Sequence, residues 1–218
     1  MPQRRRTPTD ALDAANRKTD EQFVEEYLRS TDPDTLWVTT WTHPRSNQTF
    51  TLQLLRSENL SDGELQACFD LIAETSEADY RTSSVKWRPD KKLKEMKSAE
   101  LRYILVRDGE GAIGGFTSLM PTYEEGQPVV YCYEIHLKPE MRGTGLGELL
   151  MGFHSTVAKN LPPITKVMLT CFLANERGLD FYRKLGFETD EISPRTRRLR
   201  TGEIQPDYVI LSKPVRNV

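Results

Sequence analysis

Long apolar runs are missing from this chain. No stretch of its 218 residues approaches the ~18 apolar positions in a row that a membrane-spanning helix needs, so no membrane partner is expected. Cysteine is scarce: Cys68, Cys132 and Cys171 are too few and too scattered for a disulfide framework or a zinc site. Reduced thiols in a cytoplasmic or nuclear compartment are therefore expected. His43 and His154 have no partners at ligand spacing, so no metal is expected either. An excess of one charge is lacking too. Thirty basic against 32 acidic residues leave a net charge of −2, which gives no global pull toward nucleic acid. The opening Met1-Pro2-Gln3-Arg4-Arg5-Arg6 has no apolar core and is not expected to act as a secretory signal. Internal repeats and low-complexity tracts are absent as well.

What is present is an ordinary globular composition, 37% hydrophobic and 28% charged, long enough for one domain with arms. Residues 1–10 are polar and expected to fray, and a helix is expected over Ala11–Leu28, ended at the latest by Pro33. Gln48–Leu54 alternates as a strand, and Ser61-Asp62-Gly63-Glu64 is a capping box before the stripe Leu65, Phe69, Ile72, Ala73. Val85–Met96 reads as irregular or weakly helical. Leu101–Val106 and Ala112–Met120 read as strands of a hairpin around Asp108-Gly109-Glu110-Gly111. Val129–Leu137 is the most strand-like segment. A glycine-rich loop follows it, then a helix to about Asn160 with the stripe Leu146, Leu149, Leu150, Phe153, Val157. Thr165–Phe172 is a further strand, Asn175 caps a helix ending at Gly186, and Phe187–Ile192 with Tyr208–Leu211 form a last hairpin around a basic loop. Strands that first meander and then alternate with helices predict an α/β fold: a mixed, mostly antiparallel central sheet with helices on both faces. The expected divisions are an N-terminal extension over 1–47, a catalytic domain over 48–213 and a short tail over 214–218.

The sharpest motif is Arg142-Gly143-Thr144-Gly145-Leu146-Gly147, between a strand and a helix. Three glycines in five positions let backbone N–H groups turn toward one point, and a helix N-terminus adds its dipole; that suits a pyrophosphate. It is not a Walker loop, because no Lys-Ser/Thr follows. It is not a dinucleotide fingerprint either, because Glu148 stands where the third small residue belongs. A plain glycine-rich turn remains the alternative for the hexapeptide alone.

Arg-x-x-Gly-x-Gly after an apolar strand resembles the acetyl-CoA signature of the GCN5-related N-acetyltransferases (GNAT). Downstream, Asn175 at a helix start and Tyr182-x-x-x-Gly186-Phe187 at its end resemble the same family's second signature. The resemblance implies acetyl-CoA as cosubstrate, held by Leu137, Arg142, Gly143, Thr144, Gly145, Leu146 and Gly147, with Asn175 and Tyr182 along the pantetheine arm. Asn175 could equally be a simple N-cap, and Tyr182 a half-buried helix aromatic. Asp13-Ala14-Ala15-Asn16-Arg17, Val130-Tyr131-Cys132-Tyr133-Glu134, Lys166-Val167-Met168-Leu169-Thr170 and Tyr208-Val209-Ile210-Leu211-Ser212 resemble the NatD subfamily of N-alpha-acetyltransferases. That subfamily modifies histone N-termini and carries an N-terminal segment packed on the catalytic domain.

The chemistry implied is acetylation of the N-terminal amine of histone H4 and 2A-type tails beginning Ser-Gly-Arg-Gly, by direct attack in a ternary complex. The alternative is a lysine or small-molecule amine acceptor, and a third reading is a non-catalytic acetyl-CoA binder. Alternation puts Val130, Cys132, Glu134 and His136 on one strand face and Tyr131 and Tyr133 on the other. A carboxylate in mid-strand must be paired or working, so Glu134 is the candidate general base, directly or through water; a buried Glu paired with an arginine is the alternative. Tyr133 joins it as a catalytic candidate. Tyr80, Trp87, Tyr131, Tyr133, Thr170 and Tyr208 match positions that line the subfamily's peptide site. Glu124, Glu125 and Asp207 are candidates to hold the substrate arginine. Cys132 beside Glu134 and His136 is a poor acyl carrier, since no positive helix end is evident. Arg195, Arg197, Arg198 and Arg200, with Arg4-Arg5-Arg6, are basic segments through which a ribosome or nucleosome contact is conceivable, although a solvated face is the usual meaning of such runs. A monomer without an obligatory auxiliary subunit is expected.

Overall fold

A computed structural model describes residues 8–29, 37–199 and 202–215, the side chains of 8–10, 197–199, 202 and 204 excepted. Arg4-Arg5-Arg6, Pro33 and Arg200 lie outside the described residues, as do the side chains of Arg197 and Arg198. The strands are β1 (Thr40–Thr42), β2 (Thr49–Arg56), β3 (Arg102–Arg107), β4 (Ile113–Glu124), β5 (Gln127–Leu137), β6 (Lys166–Phe172), β7 (Glu188–Thr189), β8 (Arg197–Leu199), β9 (Gly202–Ile204) and β10 (Tyr208–Pro214). Eight of them form one sheet in the order β1-β2-β3-β4-β5-β6-β10-β7, while β8 and β9 pair as a small hairpin inside the basic loop. Every pairing in the large sheet is antiparallel except β5 with β6. That parallel pair is short: its register runs from Val129↔Lys166 to Cys132↔Leu169.

Helices cover both faces, as the pattern of elements predicts. On one side α3 (Asp62–Thr82) and α4 (Pro89–Met96) enclose Leu65, Cys68, Ile72 and Met96 against Tyr103, Leu105 and Phe116. On the other, α1 (Pro8–Asn16), α5 (Leu146–Asn160) and α6 (Glu176–Lys184) bury Leu12, Leu150, Phe153, Val157 and Leu179 against Ile104, Val130 and Val167. The Ser61 and Asn175 caps form as read: Ser61 accepts from the Glu64 amide, and Asn175 from the Gly178 amide at 2.9 Å. A Cβ at Gly178 would stand 2.7–2.9 Å from the Asn175 side-chain atoms, so glycine keeps that cap in place.

Two expectations are corrected. The single helix over Ala11–Leu28 is broken: α1 ends at Asn16, Thr19 starts α2 (Asp20–Phe23), and Val24–Leu28 continues as a π turn. The break has two local causes. Thr19 and Gln22 form a reciprocal capping box. The fully buried Arg102 guanidinium donates to the carbonyls of Ala15, Asn16 and Lys18 while pairing with Asp20 at 2.8 Å. The second correction concerns β5. Its register against β4 passes from Ser118↔Glu134 to Leu119↔Cys132, so Tyr133 is an extra residue, a β-bulge. Cys132 faces α5, with its Sγ 3.9 Å from Met151 Sδ, whereas Glu134 and His136 reach α4 and α3. Strict alternation places Cys132, Glu134 and His136 together; the bulge separates the thiol from the other two.

Candidate active site

Beyond Cys132 and Leu169 the strands β5 and β6 no longer pair. A cavity of about 340 Å³ opens there, lined by β5 from Tyr131 to His136 and β6 from Leu169 to Phe172, with Ser76 and Tyr80 of α3, Lys92 and Glu95 of α4, Glu124 of β4, and Asn175 and Tyr182 of the α6 region. Of the residues read from the sequence, Glu134, Tyr133, Tyr131, Tyr80, Thr170, Asn175 and Tyr182 come together in this one space.

Glu134 sits in a buried charge cluster. Its Oε1 accepts from Lys92 Nζ at 2.8 Å, and its Oε2 lies 2.5 Å from His136 Nε2. Burial works against the carboxylate, but the hydrogen bond and charge of His136 and the Lys92 ammonium outweigh it, holding the pKa down at about 2 against an ordinary 4.5. Lys92 is pushed the other way: burial opposes its charge, yet Glu134, Tyr80 and Glu95 keep it protonated. His136 Nδ1 lies 2.6 Å from Thr75 Oγ1, which also bonds the Leu71 carbonyl at 2.7 Å. Lys92 escaped the sequence reading because it stands in the run Lys91-Lys92-Leu93-Lys94, which looks solvated. The available signal is helical spacing: Lys92 lies three residues after Pro89 and four before the buried Met96, on the inward face.

The partner expected for a buried Glu134 was an arginine; the structure supplies a lysine and a histidine instead. The tyrosines form a wall. The Tyr131 and Tyr133 rings are 5.0 Å apart, and Tyr131 OH lies 2.6 Å from Thr170 Oγ1. Burial pushes both phenols up to about 12 and Tyr182 well above its ordinary value, so all three remain protonated donors near neutral pH. Tyr80 lies 4.8 Å from the Phe172 ring and 5.3 Å from Trp87, which stacks on Phe69 behind it. Trp87 is thus one ring removed from the cavity lining. Tyr208 is opposite Phe172 in the β10–β6 register and is not among the lining residues either. Of the acidic candidates, Glu124 lines the cavity, and burial and Glu125 raise its pKa. Glu125 is exposed in the β4–β5 turn, and Asp207 accepts from the Ser84 amide and hydroxyl, tying β10 to the segment between α3 and α4.

At the other end of β5 the phosphate-type loop fits the geometry its glycines suggest. Gly143 and Gly145 have φ of 66° and 86°, and a Cβ on either would meet nothing within 4 Å, so the space beside them is open. No side chain caps α5, whose N-terminal amides follow Gly145. Thr144 instead turns back to the Met141 carbonyl at 2.6 Å, and Arg142 Nε donates to the Leu137 carbonyl at 3.1 Å. At Gly147 a Cβ would press on the Phe181 ring at 3.2 Å, so this glycine seats α6 against the start of α5. An uncapped helix start beside open, positive-φ glycines accommodates a diphosphate. Among the described residues no cluster of three His, Cys, Asp or Glu side chains could hold a metal, and no helix is long and apolar enough to cross a membrane.

Comparisons with known proteins bear on this arrangement. The pattern of the acetyltransferase (GNAT) family matches residues 65–187. N-alpha-acetyltransferase 40 of Saccharomyces cerevisiae is 34% identical over 157 residues, 61% of this chain; the match spans about half, 54%, of that relative's length. Among solved structures, a GNAT-family acetyltransferase from Staphylococcus aureus Mu50 superposes with a TM-score of 0.55 at 12% identity, over 76% of this chain and 100% of that one. Spermidine N-acetyltransferase from Vibrio cholerae, solved with CoA and spermine, superposes with a TM-score of 0.50 at 18% identity, over 75% of this chain and 95% of that one. At such identities the two structures speak for the shared fold and leave the acceptor amine open.

Proposed function

The chain belongs to the GNAT acetyltransferase family, and on that premise we propose that it acetylates the free N-terminal amine of a protein, with histone H4 and 2A-type tails beginning Ser-Gly-Arg-Gly as substrates. The observation that carries this reading is the buried Glu134, held ionised at neutral pH by His136 and Lys92 behind two tyrosines, in a chain 34% identical to an N-alpha-acetyltransferase over 61% of its length. Acetyl-CoA, when bound, supplies an activated acyl group with a thiol as its leaving group. The Arg142–Gly147 loop would hold its diphosphate, and Leu137, Asn175 and Tyr182 would flank the arm that reaches into the cavity.

Glu134, held below the ordinary carboxylate range by His136 and Lys92, is too weak a base to keep a proton taken from an α-amine at about 7.7–8.0. It need not keep one. About a tenth of such amines are already neutral at pH 7, against fewer than one lysine in a thousand. Glu134 therefore acts through its charge: it favours the positive nitrogen as the new bond forms and orients the water that carries the proton away. Of the direct and water-mediated routes, the second fits this carboxylate. Tyr182, kept protonated by burial, would give a proton to the departing sulfur. Tyr131 and Tyr133 narrow the approach, leaving little more than glycine at the second substrate position. Glu124, the acidic candidate on the lining, would take the arginine at the third.

The test is a panel of peptides. A free lysine-containing peptide that begins Ser-Gly-Arg-Gly is acetylated once, at its α-amine, and its N-blocked twin with the lysines intact stays inert. Changing the arginine to alanine lowers kcat/KM about 10–150-fold, the worth of a charge-assisted hydrogen bond. Acetylation of the blocked peptide on lysine would overturn the N-terminal reading in favour of a lysine or small-amine acceptor.

A further inference from the structure

The turn between β1 and β2 lies against the phosphate-type loop, and its contacts are specific. His43, 6% exposed, receives two backbone N–H groups on its Nδ1, from Arg45 at 3.2 Å and Ser46 at 3.0 Å. A nitrogen that accepts two donors carries the lone pair, so the ring proton resides on Nε2, which then donates to the Glu140 carbonyl 3.2 Å away. The same turn is closed by the Asn47 amide on the His43 carbonyl and by the His43 amide on the Gln48 carbonyl. Arg45, held at the apex, reaches across with one Nη2 to two carbonyls of the loop, Glu140 at 3.4 Å and Arg142 at 3.2 Å.

The Arg142 contact has a geometric consequence. In a planar trans peptide the C=O of Arg142 and the N–H of Gly143 point in opposite directions. By holding the Arg142 carbonyl on its own side, Arg45 turns the Gly143 N–H away from the hairpin. It thereby fixes the peptide plane that opens the glycine loop. Gly143, at φ 66° with nothing within 4 Å of a Cβ, has no side chain to do this for itself. From the far side, Arg142 Nε on the Leu137 carbonyl ties the loop to the end of β5. The loop is thus clamped between the last turn of a strand and a hairpin lying more than 90 residues earlier in the chain.

From this we infer that the His43–Arg45 turn is a working part of the cosubstrate site: Arg45 is the residue that orients the Gly143 amide for a phosphate, and His43 positions Arg45. This rests on the reading that the loop binds the diphosphate of acetyl-CoA. Neither residue lies in the Leu65–Phe187 span that matches the family pattern.

CoA itself is the probe. Titration calorimetry on Arg45→Ala should give a Kd about tenfold higher than the unsubstituted protein, and the KM for acetyl-CoA should rise in step. The peptide KM and kcat at saturating acetyl-CoA should hold, because the cavity around Glu134 is untouched. Arg45→Lys, which keeps the charge but not the planar fork, should recover only part of the loss. His43→Ala should weaken CoA at least as much; if it does not fold, the exposed Arg45 carries the test alone. Equal CoA affinity in Arg45→Ala and the unsubstituted protein, or a fall in kcat with the acetyl-CoA KM unmoved, overturns the inference. Failure of the unsubstituted protein to bind CoA overturns the cosubstrate reading and this inference with it.

Discussion

Two stretches of chain along β5 work by different means. At its C-terminal end, around Arg142–Gly147, the available groups are backbone amides on glycines with open space beside them, and side chains serve only to hold carbonyls. In its middle, around Glu134, the available groups are side chains from β5, α3, α4, β6 and α6, packed into a buried network of opposite charges. Backbone amides at a helix start suit an anion such as a diphosphate whatever side chains surround them. A buried charge cluster is unforgiving, because removing one member leaves a buried charge less well compensated.

That contrast can be broken by experiment, most severely at Lys92. Lys92→Met should cost up to about 3–5 kcal/mol of stability by leaving the buried Glu134 carboxylate with His136 as its remaining charged partner, and adding Glu134→Gln to it should recover part of that loss. Urea melts across the acid range give a second readout. Glu134 titrates in the folded protein below its ordinary 4.5, so its contribution is complete above pH 4.5 and drains as pH falls toward about 2. In Lys92→Met, with one partner gone, the folded pKa should rise, so the acid-dependent loss should be smaller and end at a higher pH; an unshifted acid limb would mean that the pair does not set the pKa. Next in size, Glu134→Gln should lower kcat/KM by about 10²–10³-fold, as expected for lost electrostatic stabilisation, while CoA affinity stays put. Turnover close to that of the unsubstituted enzyme would move the chemistry elsewhere in the cavity. Smallest is the change at the amide end. Gly145→Val forces a β-branched residue to φ 86° and should erase the stabilisation by acetyl-CoA, about 2.7 kcal/mol at a hundredfold excess over Kd. Survival of the thermal shift in that variant would remove the diphosphate from this loop.

The same contrast explains what could be read in advance. The glycine loop, the Ser61 and Asn175 caps and the apolar stripes of α3 and α5 obey local rules with short spacings, and they fold as their residues dictate. Lys92 obeys a non-local one: nothing within its own segment says that Glu134, 42 residues on, will face it. Trp87 and Tyr208 were placed at the peptide site by resemblance alone, and the structure sets both outside the cavity lining. The break at Thr19 was written in the sequence as Thr-x-x-Gln, but its anchor, the Arg102 guanidinium beneath it, was not. The bulge at Tyr133 carries no glycine or proline to mark it, so a period of two was carried through a place where the period slips.

That slip is a change of parity. A strand sorts its side chains as odd and even, and one surplus residue exchanges the two classes from that point on. Before Tyr133 the even positions belong to the α5 side, where Cys132 lies against Met151; after it they belong to the α3–α4 side, where Glu134 meets Lys92. The chain thereby keeps the Cys132 sulfur and the ionised Glu134 carboxylate two residues apart in sequence and on opposite faces of one sheet. A thiol that cannot share a proton with that carboxylate is left as inert filler, with burial pushing its pKa up to about 12. Deleting the surplus residue would straighten the strand without reuniting the pair, because direct neighbours in a regular strand also point to opposite faces.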